Sequence, residues 1–335
     1  MPLIPELLAN GGQGILPQDL LLLFLASVGI VTFSSWLWDF FFKGVYGRLF
    51  RPDVDVVKKY GRWAVVTGAT DGIGKAMAFE LGRKNCNVIF IARNKEKLEH
   101  CAKEFSTRFP NQDVKVLEVD YSNFDAAARK RVQDLVNELD VGVLVNNVGV
   151  SYPFTKFFHE LDDERVEHLI TLNVNSTTWM TRIVLPGMLA RKRGAIVNIS
   201  SVGGTLTSPL LSQYGAAKSY VVMFSKALHA EYKSAGIHVQ CQIPLYVATK
   251  LAKIKSASLF VASPSDYARA AISAIGYEVV VSPYWSHALQ LWFLAHLPQW
   301  LLVEIVRKLH LGIRKAGLKK EQKKSSAEAD KDKTS

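Results

Sequence analysis

The chain has 335 residues, 49% of them hydrophobic, enough for one large core or two smaller ones. Its formal net charge is +11, yet Lys and Arg gather after the first hydrophobic run and at the C-terminus, which favours an anionic membrane surface over nucleic acid. No zinc-finger or RNA-binding signature accompanies them, so no nucleic-acid partner is expected; Cys86, Cys101 and Cys241, without CxxC spacing, point to reduced thiols with no disulfide framework or metal site.

From Leu20 to Trp38 the chain is uncharged for 19 residues. That is about 28 Å as a helix, enough to cross a bilayer. Trp36 and Trp38 stand where an interfacial aromatic belt would be. A cleaved signal peptide is the rival, but no basic region precedes the run and no small-residue cleavage site follows it. Glu6 and Asp19 precede the run, whereas Lys43, Arg48, Arg51, Lys58 and Lys59 follow it. By the positive-inside rule residues 1–19 lie across the membrane, 20–38 cross it, and the basic linker 39–60 leads into a cytosolic domain.

From Arg62 onward, short β-branched runs alternate with helical patterns, the mark of a doubly wound parallel sheet of Rossmann type. A strand over 63–67 turns through Gly68-Ala69-Thr70-Asp71-Gly72-Ile73-Gly74 into a helix. Glycines placed there let the backbone approach a pyrophosphate at the helix N-terminus. The strand 87–92 ends at Arg93, where NAD-binding sheets place an acid for the ribose hydroxyls. A guanidinium at that point favours the 2′-phosphate of NADP, the alternative being an Arg that merely ends a strand. The strand 114–119 stops at Asp120, a candidate partner for the adenine amino group, and the strand 141–145 runs into Asn146-Asn147-Val148-Gly149.

The apolar run from Gly194 closes at Ser201, and Tyr214 and Lys218 follow four apart in a helical pattern. That spacing puts phenol and ammonium on one face, where the cation lowers the phenol's pKa toward neutrality. Taken alone, such a pair is more often a solvated helix face.

Together these motifs resemble the short-chain dehydrogenase/reductase family over about residues 60–280. The resemblance is carried by TGxxxGxG at 67–74, NNxG at 146–149 and the Ser201, Tyr214, Lys218 set. More narrowly the chain is similar to the microsomal very-long-chain 3-oxoacyl-CoA reductases, whose animal members also act as 17β-hydroxysteroid dehydrogenases. Gly61-Arg62-Trp63-Ala64, the stretch 146–153 and Pro244-Leu245-Tyr246-Val247-Ala248-Thr249-Lys250 carry that likeness; 239–242 and 283–289 lean toward plant members. Val148 and Leu245 depart from the family's usual NNAG and Pro-Gly but fit this branch.

The resemblance implies that Tyr214 is the general acid, that Lys218 lowers its pKa and holds the nicotinamide ribose, and that Ser201 holds the substrate carbonyl. It also implies that Asn173 holds a water linking Lys218 to solvent, and that Val247 and Thr249 meet the nicotinamide. The cofactor implied is NADPH and the substrate a 3-oxoacyl-CoA, reduced alongside a condensing enzyme, a dehydratase and an enoyl reductase at the endoplasmic reticulum membrane. A steroid or retinoid ketone is the alternative substrate, and a catalytically silent assembly partner the alternative of another class.

Within the reductase domain 61–283, the stretch 250–263 lies where this fold carries its substrate lid. Lys250, Lys253 and Lys255 among apolar residues suit an acyl chain tipped with a CoA phosphate; an ordinary amphipathic loop is the alternative. Residues 284–318 are apolar and basic but broken by His287, His296, Pro298 and Glu304, which favours a membrane-surface or re-entrant segment over a second crossing. The polar tail 319–335 is expected to be disordered, and Lys331 and Lys333 resemble a di-lysine retrieval signal.

Overall fold

The computed structural model describes residues 17–38, 52 and 54–332. Residues 1–16, the juxtamembrane Lys43, Arg48 and Arg51, and Lys333 of the di-lysine pair lie outside the described residues. The chain divides into an N-terminal unit ending at Pro52 and a larger unit beginning at Asp53.

The N-terminal unit contains α1 (Pro17–Trp38). It starts three residues ahead of Leu20 because Pro17 suits the first helical position and Asp19 complements the positive end of the helix. Its apolar side chains stand exposed, and over Pro17–Ser35 the mean hydropathy is 1.6. Ser27 and Thr32 bond internally, their hydroxyls donating to the Phe24 and Val28 carbonyls, each at 2.8 Å. A lipid-facing helix needs its polar groups satisfied in that way. Among the described residues α1 is the one helix long and apolar enough to cross a membrane.

The larger unit opens with α2 (Val56–Tyr60), then β1 (Trp63–Thr67), α3 (Gly72–Arg83), β2 (Asn87–Ala92), α4 (Lys95–Arg108) and β3 (Val114–Glu118). It continues through α5 (Ala126–Asn137), β4 (Val141–Asn146), α6 (Asp163–Ile170), α7 (Ser176–Arg191) and β5 (Gly194–Ile199). Next come α8 (Ser212–Tyr232), β6 (Ile237–Gln242), α9 (Pro264–Ser273), β7 (Val280–Val281), α10 (Trp285–His296) and α11 (Gln299–Asp332). The seven strands form a parallel sheet in the order β3-β2-β1-β4-β5-β6-β7. The inner strands β1, β2, β4 and β5 are buried throughout, as a sheet covered on both faces requires, while β3 at the edge is largely exposed.

One layer buries Met77 and Leu81 of α3, Phe105 of α4 and Tyr267 of α9 against Phe90. The other buries Val132 of α5, Met180 and Met188 of α7 and Leu228 of α8 against Ile89, Leu144 and Ile196. Helix starts are fixed locally: Asp71, Asn94, Asp125, Asp162 and Ser263 each accept a backbone N–H of the first turn.

The C-terminal segments differ from expectation. The apolar stretch breaks at Pro298 into α10 and α11, and α11 docks on the domain rather than lying free of it. Leu302 is buried, the His310 carbonyl accepts from Thr155 Oγ1 at 2.5 Å, and Arg314 pairs with Glu160. Trp300, Ile305 and Leu309 on α11 remain exposed. Residues 319–332 continue the helix, in keeping with their Lys, Glu, Gln and Ala, which are good helix formers.

Candidate active site

The carboxyl ends of β1, β2 and β4 open onto a cavity of about 330 Å³. At the end of β1 the chain turns through Gly68 and Gly72 at φ of 63° and 55°, and Asp71 accepts from the Gly72 N–H at 2.8 Å. A side chain on Gly74 would collide with Asn147 and the Gly68 carbonyl. Asn147 closes the junction by donating to the Thr67 and Gly68 carbonyls at 3.1 and 3.3 Å, while its own N–H donates to Thr67 Oγ1 at 3.0 Å.

Gly68, Thr70, Asp71, Gly72 and Ile73 form one wall of the cavity; Arg93, Asp120, Asn147 and Thr249 stand around the rest. Gly74 lies behind that wall. Partial burial pushes the Asp120 carboxyl up, but bonds from Ser122 N and Oγ (2.9 and 2.7 Å) and the Arg93 charge outweigh it and hold it below the usual range. Left-handed glycines, a helix N-terminus and a guanidinium at the rim fit a phosphorylated dinucleotide. The Val247 side chain is 2% exposed in the core, and the chain around it bridges to Ala262 through Tyr246 and Ala248, which fixes the segment leading to Thr249.

Beyond the cavity, β5 ends at Ile199 and Ser201 follows in extended backbone. The Ser201 hydroxyl, which accepts from Gly203 N at 3.3 Å, neighbours Tyr214 in the first turn of α8. Lys218, one turn on and 5% exposed, donates to the Ile199 carbonyl at 3.1 Å; its ammonium lies 5.9 Å from the Tyr214 ring centre. Burial raises the Tyr214 pKa, the Ser201 hydroxyl offsets part of that rise, and burial pushes Lys218 down to about 8. A protonated phenol beside a serine hydroxyl is a group ready to donate.

Asn173 reaches the same place by a route that a helical pattern does not reveal. Between α6 and α7 the helix widens into a π turn over Thr171–Asn175, a distortion common at functional sites. The turn directs a fully buried Asn173 at the loop after β4, where Nδ2 donates to the Val150 and Leu169 carbonyls, each at 2.9 Å, and Oδ1 accepts from Val150 N at 3.3 Å. A Cβ on Gly149 would lie 2.7 Å from Asn173 Oδ1 and 3.0 Å from Lys218 Nζ, so the three residues share one small space. The Asn173 side chain is spent on backbone groups and positions the loop.

Sequence reasoning missed His287, which read only as a break in an apolar run. Its ring is fully buried, Nδ1 accepts from Leu245 N at 3.3 Å, and Nε2 meets the Tyr246 carbonyl at 2.9 Å. Those two bonds need a neutral ring with its proton on Nε2, and burial lowers its pKa to about 4. His287 therefore clamps the segment leading from β6 to Thr249. The 250–263 stretch is pinned at its base by Ala248 N to Ala262 O (2.9 Å) and Ala262 N to Tyr246 O (3.1 Å), leaving Leu251, Leu259 and Phe260 exposed.

A family model described as short chain dehydrogenase matches residues 62–259, and the chain belongs to that family. It is 44% identical over 268 residues to a very-long-chain 3-oxoacyl-CoA reductase-like protein of Arabidopsis thaliana, covering 78% of this chain and 85% of the relative. It is 40% identical over 265 residues to the very-long-chain 3-oxoacyl-CoA reductase of Homo sapiens (78% and 84% covered). A human inactive hydroxysteroid dehydrogenase-like protein 1 is as similar, at 41% over 268 residues (79% and 81% covered). Among solved structures, a short-chain dehydrogenase from Sphingobium yanoikuyae in complex with NADPH superimposes with a TM-score of 0.60 at 29% identity, covering 66% of this chain and 87% of that one.

Proposed function

We propose that this protein is an NADPH-dependent reductase of 3-oxoacyl-CoA, producing the 3-hydroxyacyl-CoA during fatty-acid elongation. One observation carries the reading: Ser201 and Tyr214 stand side by side while Lys218 is tied to the end of the strand that leads to Ser201, in a chain 40% identical to a human very-long-chain 3-oxoacyl-CoA reductase. The glycine turn, Asp71, Asn147 and Thr249 would hold the dinucleotide, Arg93 its 2′-phosphate and Asp120 its adenine. When bound, that cofactor supplies the hydride. Tyr214 then delivers its proton to the 3-oxo oxygen, and Ser201 donates to the same oxygen as negative charge develops there. Lys218 stabilises the phenolate left behind, and Asn173 keeps the Gly149–Val150 loop clear of the ammonium.

The apolar α1 and the basic residues that follow it support an anchored enzyme of the endoplasmic reticulum with its catalytic domain cytosolic. There it would work beside a condensing enzyme, a dehydratase and an enoyl reductase. Digestion of a tag after Ser335 in sealed microsomes supports that orientation; a protected tag reverses it.

A catalytically silent partner is the second reading, favoured by the inactive relative at 41% identity. Membranes carrying the chain, given NADPH and either a 3-oxoacyl-CoA or a steroid ketone, separate the readings. Turnover of the thioester is expected. Turnover of the ketone alone moves the substrate class, and no turnover of either, with NADPH bound, supports the silent partner.

A further inference from the structure

We propose that a basic groove beside the cofactor cleft seats the nucleotide end of the substrate's CoA, an adenosine bearing a 3′-phosphate and a 5′-diphosphate. This rests on the 3-oxoacyl-CoA reading above. The groove, about 980 Å³, runs along α3 between α4 and α9 beneath residues 248–255. Asp71, Gly72, Thr249 and Lys250 belong to both walls and separate it from the cofactor cleft. Eight Lys and Arg residues line it against three carboxylates, Asp71, Glu80 and Glu104.

Those carboxylates are already matched. Lys250 pairs with Asp71 at 2.8 Å, Lys75 with Glu104 at 2.6 Å, and Arg83 with Glu80. Among the described residues Arg108, Lys255 and Lys320 form no ion pair, so the groove keeps a surplus of positive charge. Cations gathered without counter-charges repel one another, and a polyanion relieves that repulsion. Phosphate groups also accept the charge-assisted bonds that Lys and Arg offer.

A chain of contacts along residues 152–156 links the groove to Tyr214. The N–H of Gln213, next to Tyr214, donates to the Tyr152 hydroxyl at 3.1 Å. The neighbouring Pro153 carbonyl takes the Lys253 ammonium, and Lys253 lines the groove. Phe154 packs against Gly317 of α11, Lys156 lies 3.9 Å from Glu321, and Lys320 closes the far side of the groove. An extended pantetheine arm laid along residues 152–156 would bring the thioester to Tyr214 and leave the phosphates among these cations. A steroid or retinoid ketone has no counterpart for them.

The test uses the full chain in detergent with saturating NADPH, which removes the cofactor's own 2′-phosphate site from the reading. Adenosine 3′,5′-bisphosphate is titrated into wild type and an Arg269→Glu, Lys320→Glu double variant, both positions being exposed. Binding to wild type is expected, weakened about tenfold or more in the variant, with NADPH affinity unchanged. In parallel, the same 3-oxoacyl group is offered on CoA and on pantetheine. The variant should raise KM for the CoA thioester about tenfold while leaving KM and kcat for the pantetheine thioester as they were. The proposal falls if the bisphosphate fails to bind wild type at saturating NADPH, if the variant binds it equally, or if both thioesters change alike. If neither thioester is reduced but the bisphosphate still binds in this charge-dependent way, the reductase reading falls and the nucleotide site stands.

Discussion

Lys218 donates to the Ile199 carbonyl at 3.1 Å, so the helix carrying Tyr214 is fastened to the strand end that carries Ser201. The Ser201 and Tyr214 side chains are thus held in register by a third, Lys218. Because this bond is buried, any change that slides α8 along β5 must leave a carbonyl or an ammonium unsatisfied.

Replacing Tyr214 with Phe keeps the ring and removes the proton. Turnover should fall by about 10²–10⁴, the usual worth of a general acid, with NADPH affinity and melting temperature close to wild type. Steady-state rates alongside cofactor titration check this. A Phe variant that turns over at the wild-type rate would remove Tyr214 from the chemistry.

Arg93→Asp removes the cation at the rim of the cleft and sets a carboxylate where a 2′-phosphate would sit. The ratio of NADPH to NADH affinity should fall by about tenfold or more, since a charge-assisted bond is exchanged for a repulsion. Unchanged affinities for both dinucleotides would mean that another group reads the phosphate.

Asn173→Ala leaves the Val150 and Leu169 carbonyls without their side-chain donor and the Val150 N–H without its acceptor. A loss of about 1–3 kcal/mol is expected for such buried groups. Thermal unfolding should show it, together with a fall in turnover as the loop shifts toward Lys218. A variant with the wild-type melting temperature would show that the π turn is held by other contacts.

His287 is neutral in the fold at about 4, against an ordinary value of 6.5. The unfolded chain therefore binds more protons between those values, so stability is full above about pH 6.5 and is lost as pH falls toward 4, by roughly 2–3 kcal/mol. His238, pushed down to about 4 by burial and by its neighbour His229, adds to the same slope. His287→Gln can keep both bonds without titrating and should flatten the melting temperature over this window. An equal slope in the variant assigns the acid sensitivity elsewhere.

These residues mark where the sequence was legible. The strands β1 and β2 have the bounds that their apolar runs predict, because a strand buried on both faces leaves a local trace. Arg93 and Asp120 border one cavity with the glycine turn because each ends a neighbouring strand of the same sheet. The run ending at Ser201 gave less: β5 ends at Ile199, one last bond runs from Ser200 N to the Gln242 carbonyl at 2.9 Å, and the two serines lie past the strand. Asn173 and His287 were hidden for another reason. One depends on a widened turn and the other on a bond to a residue 42 positions away, and neither leaves a periodic signal.

Tyr214 and Ser201 are expected to complete, by proton delivery and hydrogen bonding, a hydride transfer to the 3-oxo carbon of an acyl-CoA. The full chain in detergent, given NADPH deuterated at the transferable position and a long 3-oxoacyl-CoA, tests it directly by mass spectrometry of the product. The account predicts a 3-hydroxyacyl-CoA carrying the label on carbon 3, and almost none from Tyr214→Phe at equal cofactor occupancy. Bound NADPH with no labelled hydroxyacyl-CoA from the wild-type chain would contradict it.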